Sequence, residues 1–115
     1  MIIKFSFKKK LKLLTSLQYK NVFKNSYQVR FKKIIILGCK NYINYPRLGI
    51  SIKKKDVKKS YQRNYLKRLI REFFRLHKEN FLLMDFIVIV KKKFSRLENR
   101  IFLRNLKYLW SRYYF

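Results

Sequence analysis

The run Lys53-Lys54-Lys55-Asp56-Val57-Lys58-Lys59-Ser60-Tyr61-Gln62-Arg63-Asn64-Tyr65-Leu66-Lys67-Arg68-Leu69-Ile70-Arg71-Glu72-Phe73-Phe74-Arg75 holds ten Lys or Arg residues and two acids, yet keeps an apolar period. Leu66, Leu69, Ile70, Phe73 and Leu76 recur at helical spacing and fall on one side of a helix. Asn64, Lys67, Arg68, Arg71 and Arg75 fall on the other. One face is suited to a protein core while the other presents cations and one amide outward, the layout of a helix that docks on a polyanion.

Upstream of this helix, Leu48, Ile50 and Ile52 alternate with Arg47, Gly49, Ser51 and Lys53, the period of a half-buried strand. Residues 28–39 read as an earlier strand centred on Ile34-Ile35-Ile36-Leu37. Asn41 to Pro46 contains two Asn and the single Pro of the chain, so it reads as the turn of an antiparallel hairpin between the two strands. Asp56 is placed to N-cap the basic helix, which extends to about Lys78. Towards the N-terminus, residues 1–13 read as an extended arm packing Phe5, Phe7 and Leu11 or Leu13 inward. Thr15 or Ser16 opens a short helix, Leu17 to Asn25, whose Tyr19, Val22 and Phe23 form one stripe; spacing alone assigns that stripe to the core.

Downstream, Phe81 to Met84 is a connection and Phe86 to Val90 a buried strand. Ser95 and Glu98 have the spacing of a capping box for a last helix, from about Arg96 or Asn99 to Arg112. Ile101, Leu103, Leu106 and Leu109 or Trp110 would make its apolar face. The expected fold is a single α+β domain, 1–115, in which helices pack on a small mixed sheet. The basic helix forms a βαβ crossover if the strands it joins are parallel.

The 31 basic and five acidic residues give a net charge of +26, spread from Lys4 to Arg112, while 49% of the chain is apolar. Such a chain can bury a core, but its self-repulsion calls for a polyanionic partner: nucleic acid first, an anionic membrane surface second. The longest apolar runs, Ile34 to Cys39 and Phe86 to Val90, are strand-sized and too short to span a bilayer, and the N-terminus lacks a signal-type apolar region. A membrane-surface role is disfavoured by the absence of an uninterrupted amphipathic segment with Trp on its apolar side, so no membrane partner is expected. Cys39, the lone cysteine, allows no disulfide and fits a core position in a reducing, cytoplasmic protein.

Titratable groups for catalysis are scarce. Asp56 and Glu98 are accounted for as caps, and Glu72 has Arg68 and Arg75 within helical reach. Glu79 and Asp85 show no catalytic partner, and His77 lies near an apolar helix face. No phosphate-loop, metal-ligand or cysteine-pair motif occurs. The protein is expected to supply neither a catalytic residue nor a metal ligand set. Its cations are suited to phosphates, and the Asn64 amide to a phosphate, a 2′-hydroxyl or a hydrated ion.

Arg47-Leu48-Gly49-Ile50-Ser51-Ile52, then Lys54-Lys55, then Arg63-Asn64-Tyr65-x-Lys67-Arg68-x-x-Arg71-Glu72-x-x-Arg75, closely resemble the protein subunit of bacterial ribonuclease P. Leu11-Lys12-Leu13-Leu14-Thr15, Tyr19-x-x-Val22-Phe23, Met84-Asp85-Phe86-x-Val88 and Leu106-x-x-Leu109-Trp110 extend the likeness over nearly the whole chain. The resemblance implies a left-handed βαβ crossover. It also implies a ribonucleoprotein that removes the 5′ leader of precursor tRNA, in which the RNA subunit is the catalyst and holds most of the Mg²⁺. On that likeness Lys54, Lys55, Arg63, Asn64, Lys67, Arg68 and Arg71 face the catalytic RNA. Tyr19, Phe23, Ile35 and Leu37 face the leader, so the aromatic stripe is expected to be partly exposed. The implied partners are ribonuclease P RNA and precursor tRNA, with no protein partner. Tyr65 stands where the motif has its second Arg, Lys12 where Arg is common and Tyr19 where Phe is common. A small ribosomal protein is the alternative that charge and element order alone would fit equally; the spacing from Arg47 to Arg71 separates the two.

Overall fold

A computed structural model describes residues 11–13, 15–43, 45–91 and 99–114. Its elements run α1 (Ser16–Lys24), β1 (Tyr27–Phe31), β2 (Ile34–Lys40), β3 (Arg47–Ile52), α2 (Ser60–His77), β4 (Met84–Val90) and α3 (Asn99–Trp110), with 3₁₀ turns at Lys78–Asn80 and Ser111–Tyr113. The strands form one mixed sheet in the order β1-β2-β4-β3. β2 lies antiparallel to β4, and β3 lies parallel to it. The expected α+β class, mixed sheet and parallel β3-α2-β4 crossover are therefore present.

Two expectations about the strands need correction. The segment 28–39 is two strands, β1 and β2, paired antiparallel across Lys32-Lys33. Lys32 takes a positive φ of 54° in that turn, a conformation usually marked by Gly or Asn, so no turn residue signals the break. The hairpin is therefore β1-β2. β2 and β3 do not pair, because β4 inserts between them. Both faces of β4 are buried along almost its whole length, which is the environment of a central strand and not an edge.

The segment between β2 and β3 must then pass the start of β4, and Asp85 holds it there. The Arg47 guanidinium donates to both Asp85 carboxylate oxygens, at 2.8 and 2.7 Å, and the Asn41 amide donates to one of them at 2.9 Å. These bonds satisfy a buried carboxylate, and the hydrogen bond to Asp85 raises the Arg47 pKa above its ordinary value. Asp85, which has no partner visible in sequence, is thus a tertiary clamp.

Strand alternation sends side chains to two layers. Ile34, Ile36, Leu48, Phe86, Val88 and Val90 meet Leu66, Ile70, Phe73 and Phe74 of α2 and Phe102, Leu106, Leu109 and Trp110 of α3. Ile35, Leu37, Cys39 and Ile87 meet Leu13 and Val22 on the α1 side. The expected faces of α2 and α3 hold at Leu66, Ile70 and Phe73 and at Leu106, Leu109 and Trp110, and differ at their margins. Phe74 is buried and Leu76 is 62% exposed, while on α3 Phe102 is buried and Ile101 and Leu103 are exposed. Hydropathy alone could not choose between adjacent apolar residues; docking on the curved sheet does.

Thr15 caps α1 as expected, with the reciprocal bonds of a capping box to Gln18. Asp56 does not cap α2. The N-cap is Lys59, and Asp56 sits in a turn closed on the Lys53 carbonyl. Val57 is fully buried and pins that turn to the core. Leu11 and Leu13 are both buried, as expected of the arm. The readings for Phe5, Phe7, Ser95, Arg96 and Glu98 fall outside the described residues.

Candidate RNA interface

α2 places Asn64, Arg68 and Arg71 on its exposed side, with Lys67 half-buried at the margin. No carboxylate among the described residues pairs with Lys67, Arg68 or Arg71. Arg75, expected on the same cationic face, is drawn to Glu72 by two bonds, one of them from Nε at 3.4 Å. That hydrogen bond holds the Glu72 carboxyl below its ordinary pKa. The ion pair keeps Arg75 out of the group available to an anion, and it is the helix-surface pair expected for Glu72.

Arg63 has a different role from its neighbours. Its Nη1 donates to the Val57 carbonyl at 2.9 Å and to the Lys58 carbonyl at 2.8 Å. The guanidinium ties the Lys-rich turn to the first turn of α2, while Lys54, Lys55, Lys58 and Lys59 stay exposed around it. Arg63 therefore orders other cations as well as contributing its own charge.

The strand beneath α2 shapes the second part of the site. Gly49 packs under the Tyr19 ring, and a Cβ at Gly49 would lie 2.8 Å from ring atoms. Only glycine lets the ring sit this close to the strand. The Ile50 N–H donates to the Tyr19 hydroxyl at 3.4 Å, and the Leu13 N–H donates to the Leu48 carbonyl at 2.9 Å. The outer edge of β3 is thereby partly covered by the arm and by Tyr19, which blunts an otherwise open strand edge. Above it lies a cleft of about 180 Å³ lined by Lys12, Leu13, Tyr19, Leu48, Ile50, Lys67 and Arg71.

This cleft brings together residues that the sequence assigns to separate surfaces: Tyr19 on one wall, Lys67 and Arg71 on another. It does not include the other proposed leader residues. Phe23 is 51% exposed further along α1. Ile35 and Leu37 are 4% and 6% exposed beneath α1, where they support the helix and offer little surface of their own. Lys12, Leu48 and Ile50 are lining residues that the sequence reading did not place at the site. Gly49 carried the available signal, since glycine inside a strand marks close approach.

Comparison with known proteins gives the architecture a family. The ribonuclease P family model matches residues 7–114. The chain belongs to the ribonuclease P protein family. It is 45% identical over 112 residues to the ribonuclease P protein component of Buchnera aphidicola subsp. Schizaphis graminum, covering 97% of this chain and 98% of that protein. It is 38% identical to the component from Haemophilus influenzae strain PittGG, covering 97% and 94%. The solved ribonuclease P protein from Thermotoga maritima superposes with a TM-score of 0.78 at 32% identity, over 88% of this chain and 96% of that one.

Membership makes this chain the RNA-binding protein subunit of the ribonucleoprotein endonuclease that matures the 5′ end of tRNA, with ribonuclease P RNA as its partner. The remaining chemistry fits a supporting subunit. Among the described residues no three His, Cys, Asp or Glu side chains converge on a possible metal position. His77 bonds the Phe73 carbonyl through Nδ1 at 2.9 Å and stacks on the Phe73 ring. Burial, then the Asp85 charge, pushes the Cys39 thiol pKa up, so it behaves as a core residue. No helix among the described residues is long and apolar enough to cross a membrane.

Proposed function

We propose that the cleft between Tyr19 and the Lys67–Arg71 edge of α2 receives the 5′ leader of precursor tRNA where it emerges from the catalytic RNA. The observation that carries this reading is the meeting, in one cleft, of the Tyr19 ring of α1, packed on β3, with two cations that no carboxylate among the described residues neutralises. A base can stack on Tyr19 while Lys67 and Arg71 neutralise the adjoining phosphates. Single-stranded RNA suits such a site because its bases are free to stack. Phe23 extends the path along α1. Ile35 and Leu37 act beneath it as its floor.

Asn64, Arg68 and the Lys54-Lys55 turn, held by Arg63, then face the catalytic RNA. Mg²⁺ belongs with the phosphates of that RNA, whose charge this subunit helps to balance. The lone buried thiol and a tRNA substrate fit a cytoplasmic enzyme.

The test is reconstitution with a bacterial ribonuclease P RNA. We expect Tyr19→Ala and Arg71→Ala each to weaken holoenzyme binding of leader-bearing precursor about tenfold while leaving mature tRNA binding unchanged. Equal losses for both RNAs would place the cleft elsewhere in the assembly.

A further inference from the structure

On the same side of the sheet as α2, but at the opposite edge, α3 and β1 build a second surface with the chemistry of an RNA site. Arg100, Arg104, Lys107 and Tyr108 are spaced three or four residues apart or adjacent, so they share the outer face of α3, and all are exposed. Tyr108 is 55% exposed and meets Phe31 of β1 edge to face, with ring centroids 5.5 Å apart. Lys32 Nζ lies 5.5 Å from the Phe31 centroid. None of the four described acids lies on β1 or α3: Asp56 precedes α2, Glu72 is paired with Arg75, Glu79 follows α2 and Asp85 is buried under Arg47.

We infer that this α3–β1 surface is a second docking site for ribonuclease P RNA, taking an unpaired segment whose bases stack on Tyr108 and Phe31. Cations interleaved with exposed rings match single-stranded RNA, in which base faces and phosphates alternate. A duplex would hide those faces. A second copy of the chain is a poor occupant, because two molecules at +26 repel, and no described acid lies on β1 or α3 to offset it. The leader is also a poor occupant, since its proposed cleft opens at the β3 edge and β1 is the far strand of the sheet. α2 and α3 pack on one sheet face, so a single folded RNA that meets α2, as proposed above, can reach α3 without passing round the sheet.

The experiment measures affinity of the full chain for ribonuclease P RNA, with nucleotide-resolution footprints. Tyr108→Ala should weaken binding about tenfold and unmask one unpaired segment, and Tyr108→Phe, which keeps the ring, should restore both. The double change Arg104→Gln and Lys107→Gln should reduce the slope of log affinity against log salt by about 1.5 to 2. All of these side chains are exposed, and far-ultraviolet circular dichroism confirms the fold of each variant. Arg68→Ala serves as the α2 control. If Arg68→Ala weakens binding and Tyr108→Ala does not, the α3 site is overturned and the α2 reading stands. If neither weakens it, both fall. If Tyr108→Ala affects only leader-bearing precursor, the surface belongs to the substrate and the assignment to the catalytic RNA is overturned.

Discussion

The two faces of the sheet are packed to different depths. On the side of α2 and α3, Trp110 lies 4.9 Å from the Phe81 ring centroid and 5.6 Å from those of Phe73 and Phe74, with Phe86 at 5.9 Å. These rings join two helices, the sheet and the C-terminal turn. On the α1 side a nine-residue helix rests on a shallow layer of Leu13, Val22, Ile35, Leu37, Cys39 and Ile87. The deep side can supply most of the folding energy because large aromatic groups remove the most apolar surface from water. The shallow side leaves Tyr19 half-covered and Phe23 open. On the deep side the two tasks are divided within each helix, since α2 and α3 bury an apolar face in the core and leave a cationic face outward.

The difference in depth predicts unequal responses to truncation. Trp110→Ala should cost about 3–5 kcal/mol in urea unfolding. Val22→Ala, which removes two methyl groups from the shallow layer, should cost about 2 kcal/mol. Equal losses would mean that both layers carry the fold alike. Asp85→Asn should cost the same, about 2 kcal/mol, below the roughly 3–5 kcal/mol of breaking a fully buried pair because Arg47 remains partly in water. It should also loosen the β2–β3 connection, measurable as faster amide exchange at residues 41–47.

Tyr113 tests the seam between the deep layer and the hairpin. Its hydroxyl lies 2.9 Å from the Tyr27 carbonyl oxygen and 3.1 Å from that of Ile36, which share its single proton, and its ring fills the space left by Gly38. Tyr113→Phe should cost about 1 kcal/mol at neutral pH. Burial raises the Tyr113 pKa to about 12, above the ordinary value of 10.0. The phenolate therefore forms first in the unfolded chain. The contribution is complete below about pH 10 and is lost as pH climbs from about 10 to about 12. Urea midpoints taken across that window should fall more steeply for the wild type than for Tyr113→Phe. The smallest effect on stability is expected at Phe23. Phe23→Ala should change the unfolding free energy by less than about 0.5 kcal/mol, yet weaken holoenzyme binding of leader-bearing precursor several-fold. A large loss of stability there would make Phe23 part of the core and not of the RNA path.

Much of this could be read along the chain. The amphipathic period of α2 is local, so its cationic face and apolar face follow from side-chain order, and Thr15 with Gln18 marks the start of α1 for the same reason. The spacing from Arg47 through Arg71 carries the family. The β1–β2 turn was not legible, because Lys32 adopts a conformation that its residue type does not advertise. The margins of the apolar faces of α2 and α3 were not legible either, since Phe74 against Leu76, or Phe102 against Ile101 and Leu103, are interchangeable by hydropathy.

Tertiary structure alone decided which strands are neighbours, and with them the site. β4 enters between β2 and β3, so Arg47 and Asn41 converge on Asp85 from either side of a connection that sequence reads as a simple turn. Tyr19 reaches Gly49, and Lys67 and Arg71 overhang the same cleft, only once α1 and α2 are seated on opposite layers of the sheet. Sequence by itself determined the charge, the helix with two faces and the kind of partner, because each depends on residue type and local period. The cleft and the α3–β1 surface join residues separated by dozens of positions. Their placement is set by long-range packing, which no local period encodes.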